Sequence, residues 1–384
     1  MTDARQHARP LPPALRPIAA DLDRLSAIDR RRALVPIAGR DFASNDYLAL
    51  AGSAVLRDAV TDAIARGVPV GSGGSRLLRG NHAEHEALEA EAAAFFGSES
   101  ALWFSSGFAG NAALLATLPQ RGDLIVHDVL IHASAHEGMR LARAPAVAAG
   151  HNDPQAIEDA IRDWRRQGGT GSPWIAIESL YSMDGDIAPL DELAQVARRH
   201  DAMLLIDEAH ATGVFGPQGR GLAAALEGRA NVVTLRTCGK ALGSEGALVC
   251  GPAVVTDFLV NRARGFIFST APSPVMAAAV RAGLRVLAGE PARRDRLAAL
   301  VAHAGTRLGP LGARVTDTQI LPLIVGDDRR AMALAAAVRA AGFDLRGIRP
   351  PTVPAGTARL RISLTLNVDE ADIDALAGIL ERLA

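Results

Sequence analysis

Through the first two thirds of the chain, short apolar runs alternate with stretches whose apolar residues recur every three or four positions. The runs at 101–104 (ALWF), 124–126 (LIV), 174–177 (WIAI), 203–206 (MLLI), 232–235 (VVTL) and 247–250 (ALVC) have strand length and no interior Pro or Gly. Between them, 84–96, 154–166 and 190–200 carry helical periodicity. Such alternation predicts a mostly parallel sheet covered by helices on both faces, because each parallel crossover needs a connecting helix. Beyond about Pro252 the pattern changes to long Ala/Leu/Arg helices, then short strands near 321–325 and 359–364 and a last helix from 369. Helices followed by a small sheet predict a separate C-terminal α+β unit. In an open α/β sheet ligands bind beyond the carboxyl ends of the strands, and Ser105, Ser182, Asp184, Asp207 and His210 each follow one.

Composition narrows the partner. A chain of 384 residues with 49% apolar and 22% charged residues has ample core for two or three domains, so a single small binding module is excluded. The formal charge of -1 favours neither nucleic acid nor an anionic membrane, which leaves a small molecule as the expected partner. Two cysteines, Cys238 and Cys250, build no disulfide scaffold. No apolar run approaches the roughly 18 residues of a membrane span, and the polar, Pro-rich N-terminus lacks the apolar core of a signal peptide. The reading is a soluble cytoplasmic protein.

Among 41 basic residues Lys240 is the only lysine. A bias toward arginine explains the absence of the others but not the survivor. Arginine replaces lysine wherever charge or a long stem suffices; it fails where the amine must lose its proton, as in Schiff-base chemistry. Lys240 is therefore the first candidate for a catalytic role.

Other motifs supply possible surroundings. MLLIDEAHATG ends an apolar strand in Asp207, with His210 one turn further; a carboxylate there suits the protonated ring nitrogen of pyridoxal phosphate (PLP). A nucleotide-site acid is the alternative, and no GxxxxGK[ST] accompanies it. FSSGFAGN places small residues at a strand-to-helix turn, where free backbone amides can cradle a phosphate. GSGGSR at 71–76 reads by itself as a flexible loop. His132 and His136, like His82 and His85, have chelate spacing but no third ligand, so capping or stacking is the better reading. Asp184 and Asp186 flank Gly185 near Pro189, which favours a tight turn over a catalytic acid pair. Cys238 reads as packing.

The motifs SNDYLAL (44–50), GSGGSRLLRG (71–80), FSSGFAGN (104–111), YSMDGD (181–186), IDEAHATGVFG (206–216) and TCGKALG (237–243) together resemble the α-oxoamine synthases, a branch of the fold-type I PLP enzymes. The resemblance extends from about Asp41 to the C-terminus. It implies an α/β fold: a short N-terminal segment (1–44), a large doubly wound, mostly parallel PLP-binding domain (45–285) and a smaller C-terminal α+β domain (286–384). Within the family, IRPPTVPAGTARLRISLT (348–365) looks like the members that join L-alanine to a pimeloyl thioester, on coenzyme A or acyl-carrier protein, with loss of carbon dioxide. Sister members use glycine or serine with another acyl-CoA.

Carried over by position, the resemblance gives Lys240 the imine to the cofactor and removal of the Cα proton. Asp207 pairs with the ring nitrogen, His132 stacks on the ring and meets substrate, and His210 with Ser182 approaches the phenolic oxygen. Gly107, Phe108 and Thr237 hold the cofactor, and Ser269 and Thr270 reach its phosphate from the neighbouring subunit of a homodimer. Asn45, Thr352 and Arg361 meet the substrate, Arg361 taking the alanine carboxylate. Of Arg30, Arg31 and Arg32, Arg30 is the expected contact to the acyl group. Cys238 and Glu245 depart from the family pattern without removing any assigned residue.

Overall fold

A computed structural model describes residues 11–383. Twelve strands form: β1 (Arg40–Asp41), β2 (Ser100–Phe104), β3 (Leu124–Asp128), β4 (Ala146–Ala149), β5 (Pro173–Glu178), β6 (Met203–Asp207), β7 (Val232–Thr237), β8 (Ala247–Gly251), β9 (Ile320–Gly326), β10 (Phe343–Asp344), β11 (Arg346–Ile348) and β12 (Ala358–Ser363). The main sheet has the order β2-β8-β7-β6-β5-β3-β4. Its pairs are parallel except those of β8, which runs antiparallel to both β2 and β7. Strands β3, β5, β7 and β8 are buried along their whole length, as expected for a sheet covered on both faces. A smaller antiparallel sheet, β11-β12-β9, lies in the C-terminal part.

The six expected strands and three expected helices of the main sheet are all present within a residue or two. Strand β4 was not among them: AVAA is short, carries small side chains and is mostly exposed at the sheet edge, so its apolar pattern is weak. The helix Pro274–Gly289 runs unbroken across residue 285 and is C-capped by Glu290. Residues 71–76, which read alone as a flexible loop, make specific contacts with the rest of the fold. Gly74 O accepts from Ala271 N (2.9 Å) and Ser72 Oγ donates to Pro272 O (2.6 Å), two bonds to residues some 200 positions away, while Arg76 pairs with the nearby Glu89 (2.8 Å).

One glycine brings the site together. A Cβ on Gly110 would stand 2.6 Å from Leu235 Cδ1, so its absence lets the helix Gly107–Thr117 settle onto β7. That contact puts the helix N-terminus beside Thr237 at the strand's end.

Candidate active site

Lys240 sits in the turn between β7 and β8, closed by hydrogen bonds from Cys238 N to Gly246 O (2.8 Å) and Gly243 N to Lys240 O (2.8 Å). Its Nζ lies 2.8 Å from His210 Nε2, and His210 Nδ1 lies 2.6 Å from the Tyr47 hydroxyl. That hydroxyl donates to Asn45 Oδ1 (3.0 Å). One tautomer satisfies the chain: Nδ1–H donates to Tyr47 and Nε2 accepts from Lys240. Burial, together with the charges of Lys240 and Arg361, pushes His210 well below the ordinary histidine value, so the ring is neutral as that tautomer requires. Burial also lowers the Lys240 amine to about 8, against the pull of Asp207 and Glu178. An arginine could not make this adjustment.

Asp207 ends β6 and is held from two sides. Its Oδ1 accepts from Ala209 N (2.8 Å), and its Oδ2 accepts from Asn111 Nδ2 (2.6 Å). The same Asn111 nitrogen donates to Ser134 Oγ (3.0 Å), which is 2.8 Å from His132 Nδ1. His132 caps the helix Ala133–Leu141 through its ring, and burial lowers its pKa although Asp207 opposes this. Glu178 is the cross-strand neighbour of Asp207, and its Oε2 accepts from Ser182 N (3.3 Å). Burial and the adjacent Asp207 push Glu178 well above the carboxylate range.

A second rim lies at the helix Gly107–Thr117. Ser106 caps it by accepting from Ala109 N (3.1 Å), and Gly107 faces the Thr237 hydroxyl. The first amides of a helix have no internal partner, so this end suits a phosphate. Phe108 is half exposed beside it. Ser269 and Thr270 are exposed on the loop that Ala271 N fastens to Gly74.

The small sheet closes the site. Arg361, on β12, donates through Nε to Ser182 O (2.6 Å) and through Nη1 to Ser363 Oγ (3.3 Å), while its Nη2 is buried without a partner. Gln319, just before β9, donates to His210 O (2.8 Å). Asp184 and Asp186 lie in a turn with Gly185 at φ 71°, as expected, and both are engaged: Asp184 with Arg359 (2.6 Å), Asp186 with His151 (2.7 Å). Cys238 is fully buried, and burial raises its thiol pKa, in keeping with packing. Arg30 is occupied by Asp328 (2.8 Å); the arginine that reaches Thr352 is Arg32, whose Nη2 donates to the hydroxyl (3.2 Å).

The structure thus brings Lys240, His210, Asp207, His132, Ser182, Asn45 and Arg361 into one connected site. Tyr47, Asn111, Ser134 and Glu178 join them without having been assigned a role from the sequence. Tyr47 and Asn111 lie inside the quoted motifs SNDYLAL and FSSGFAGN; nothing local distinguishes Ser134 or Glu178 from packing residues.

Residues 39–380 match the family model described as aminotransferase class I and II. An 8-amino-7-oxononanoate synthase from Anaeromyxobacter dehalogenans is 44% identical, with 95% of this chain and 96% of the relative aligned. One from Geobacter sulfurreducens is 40% identical over 96% and 98%. The chain belongs to the 8-amino-7-oxononanoate synthase family. Among solved structures, the family member from Francisella tularensis superposes with a TM-score of 0.76 at 27% identity, covering 90% of this chain and 97% of that one. Serine palmitoyltransferase from S. paucimobilis, solved with PLP and myriocin bound, superposes with a TM-score of 0.88 at 26% identity over 97% and 98%. The fold is that of the fold-type I PLP enzymes.

Proposed function

We propose that this chain condenses L-alanine with a pimeloyl thioester, on coenzyme A or acyl-carrier protein, releasing carbon dioxide and the free thiol carrier and giving 8-amino-7-oxononanoate, a step of biotin synthesis. The observation that carries the reading is the single lysine, hydrogen-bonded to His210 on the same rim as Asp207 and Arg361, in a chain 44% identical to synthases of that name. The cofactor is PLP, and the residues fit it. Asp207 offers a carboxylate acceptor for a ring N–H, the capped helix at Gly107 with Thr237 offers donors to a phosphate, and His132, held by Ser134, would stack on the ring. When bound, PLP supplies an electron sink for negative charge at the amino-acid Cα.

The chain's own residues then handle binding and protons. Arg361 Nη2, buried and unpartnered, receives the alanine carboxylate, because leaving such a donor unpaired is costly. Lys240 Nζ, near 8, can hold or release a proton at neutral pH and moves it to and from the substrate Cα. His210 and Tyr47 fix the resting position of that amine, and Asn111 fixes the Asp207 carboxylate. Asn45 lies beside Tyr47 at the substrate side.

Ser269 and Thr270 complete the phosphate site of a second copy in a homodimer. Their exposure, with neighbouring Phe268 72% and Leu78 86% exposed, supports a covered surface there. Among the described residues no helix is long and apolar enough to cross a membrane, and the reading is that of a cytoplasmic enzyme.

A sister reaction, with serine or glycine and another acyl-CoA, is favoured by the overlay on serine palmitoyltransferase. Thiol release from pimeloyl-CoA, measured with alanine, serine and glycine in turn and with product identified by mass, separates the two. Alanine is expected to be the preferred amino acid. A preference for serine or glycine would move the chain to the sister reaction, and no release with any of them would reject both.

A further inference from the structure

His151 follows the edge strand β4 and is gripped through both ring nitrogens. Nδ1 lies 3.0 Å from each oxygen of Asp128, at the end of β3, and Nε2 lies 2.7 Å from Asp186 Oδ2. Among the described residues no other histidine bridges two carboxylates. The next residue repeats the bridge: Asn152 N donates to Asp128 Oδ2 (2.8 Å), and Asn152 Nδ2 donates to Asp186 Oδ2 (2.8 Å). The His151 ring also meets Tyr181 edge to face, with centroids 4.5 Å apart. Against burial, the bonds to Asp128 and Asp186 raise His151 to about 10, so it joins them as a cation at neutral pH.

What the bridge holds is the turn that carries Ser182. Tyr181–Asp186 closes on itself, with Tyr181 N donating to Asp186 O (2.9 Å) and Gly185 N to Tyr181 O (2.9 Å), so a displacement at Asp186 is passed to Ser182. The C-terminal sheet grips the same turn from the other side. Arg359 Nη1 donates to Met183 O (3.2 Å) and to Asp184 (2.6 Å), and Thr318 Oγ1 donates to Gly185 O (2.9 Å). Arg361 Nε donates to Ser182 O (2.6 Å). The turn is thus the piece through which β3 and β4 of the main sheet reach Arg361. A guanidinium is planar and rigid, so a bond to Nε fixes the direction of its other nitrogens. The place of Ser182 O therefore decides where the unpartnered Nη2 points.

We infer that His151 is a positioning residue for the amino-acid substrate: by joining Asp186 to Asp128 it fixes the turn whose Ser182 carbonyl aims Arg361. The inference rests on the reading of Arg361 as the site of the alanine carboxylate, and its test separates the two. L-Alanine titrated into the PLP-loaded enzyme without thioester, followed by the cofactor's absorbance, gives a Kd that needs no turnover. Steady-state kinetics then gives KM for each substrate. His151→Phe keeps a ring against Tyr181 but removes both donors, and the alanine Kd should rise roughly 5- to 10-fold while KM for pimeloyl-CoA changes little. His151→Lys keeps a cation between the two carboxylates and should recover part of this loss. If packing against Tyr181 were the whole role, the order of the two variants would reverse, which would overturn the inference. Asp186→Asn weakens the same grip from its other end while keeping the side-chain shape, and it carries the test if His151→Phe fails to fold; it should raise the alanine Kd by a smaller factor. An alanine Kd left unchanged in Asp186→Asn and in any folded His151→Phe, with only Tm lowered, would overturn the inference, since a purely structural staple predicts that result. Arg361→Leu is the control. If it too leaves the alanine Kd unchanged, the Arg361 reading falls and this inference falls with it.

Discussion

Replacing Lys240 by Met tests the electrostatic basis of the site apart from turnover. Met keeps the stem but removes the charge. In the cofactor-free protein, burial carries the amine from 10.5 down to about 8. At roughly 1.36 kcal/mol per pH unit, that interval is worth about 3 kcal/mol. The folded state releases its proton first, so between pH 8 and 10.5 the unfolded chain binds more protons and stability rises with pH. Below pH 8 the full cost of a buried ammonium is present; above 10.5 it has gone. The variant lacks this dependence. The amine lost in the variant is the one group whose own proton the comparison removes, so the pH-dependent part of the difference reports on it. Urea unfolding of both at pH 7, 8, 9 and 10 should therefore show the wild type gaining on the variant by about 2 to 3 kcal/mol as pH rises. A difference that stays flat, or moves the other way, would refute the claim that the fold holds Lys240 in a neutralising environment.

Asn111→Leu removes the donor shared by Asp207 and Ser134, and kcat/KM with alanine and pimeloyl-CoA should drop roughly 10- to 100-fold with weakened cofactor affinity; unchanged kinetics would demote Asn111 to packing. Arg361→Leu should raise KM for alanine about 10-fold or more while KM for the thioester changes little, as steady-state titration of each substrate will report. Glu227→Gln leaves Arg236, fully buried against the Phe96 ring at 4.1 Å, with Glu208 as its one carboxylate. It should lower stability by about 3 kcal/mol in urea unfolding, the low end for a broken buried pair because Glu208 remains.

The alternation of strand and helix, the rim on which Asp207, His210 and Ser182 stand, and the importance of Lys240 are all legible along the chain. Each of these is a local or compositional signal: a period, a strand end, a residue type whose chemistry no other supplies. The connections between these residues come from long-range packing. Asn111 meets Asp207 across 96 positions and Tyr47 meets His210 across 163, so neither partner is visible in the other's neighbourhood. Packing also decides among arginines. Arg30, Arg31 and Arg32 are adjacent and alike in sequence, yet folding neutralises the first with Asp328, 298 positions away, and sets the third over Thr352. Arg349 carries no local mark at all. Its burial without a counter-ion exists only once β11, the helix Asp328–Ala340 and the N-terminal segment have packed around it, because desolvation and Coulomb energy depend on where charges lie in space and not on their order along the chain.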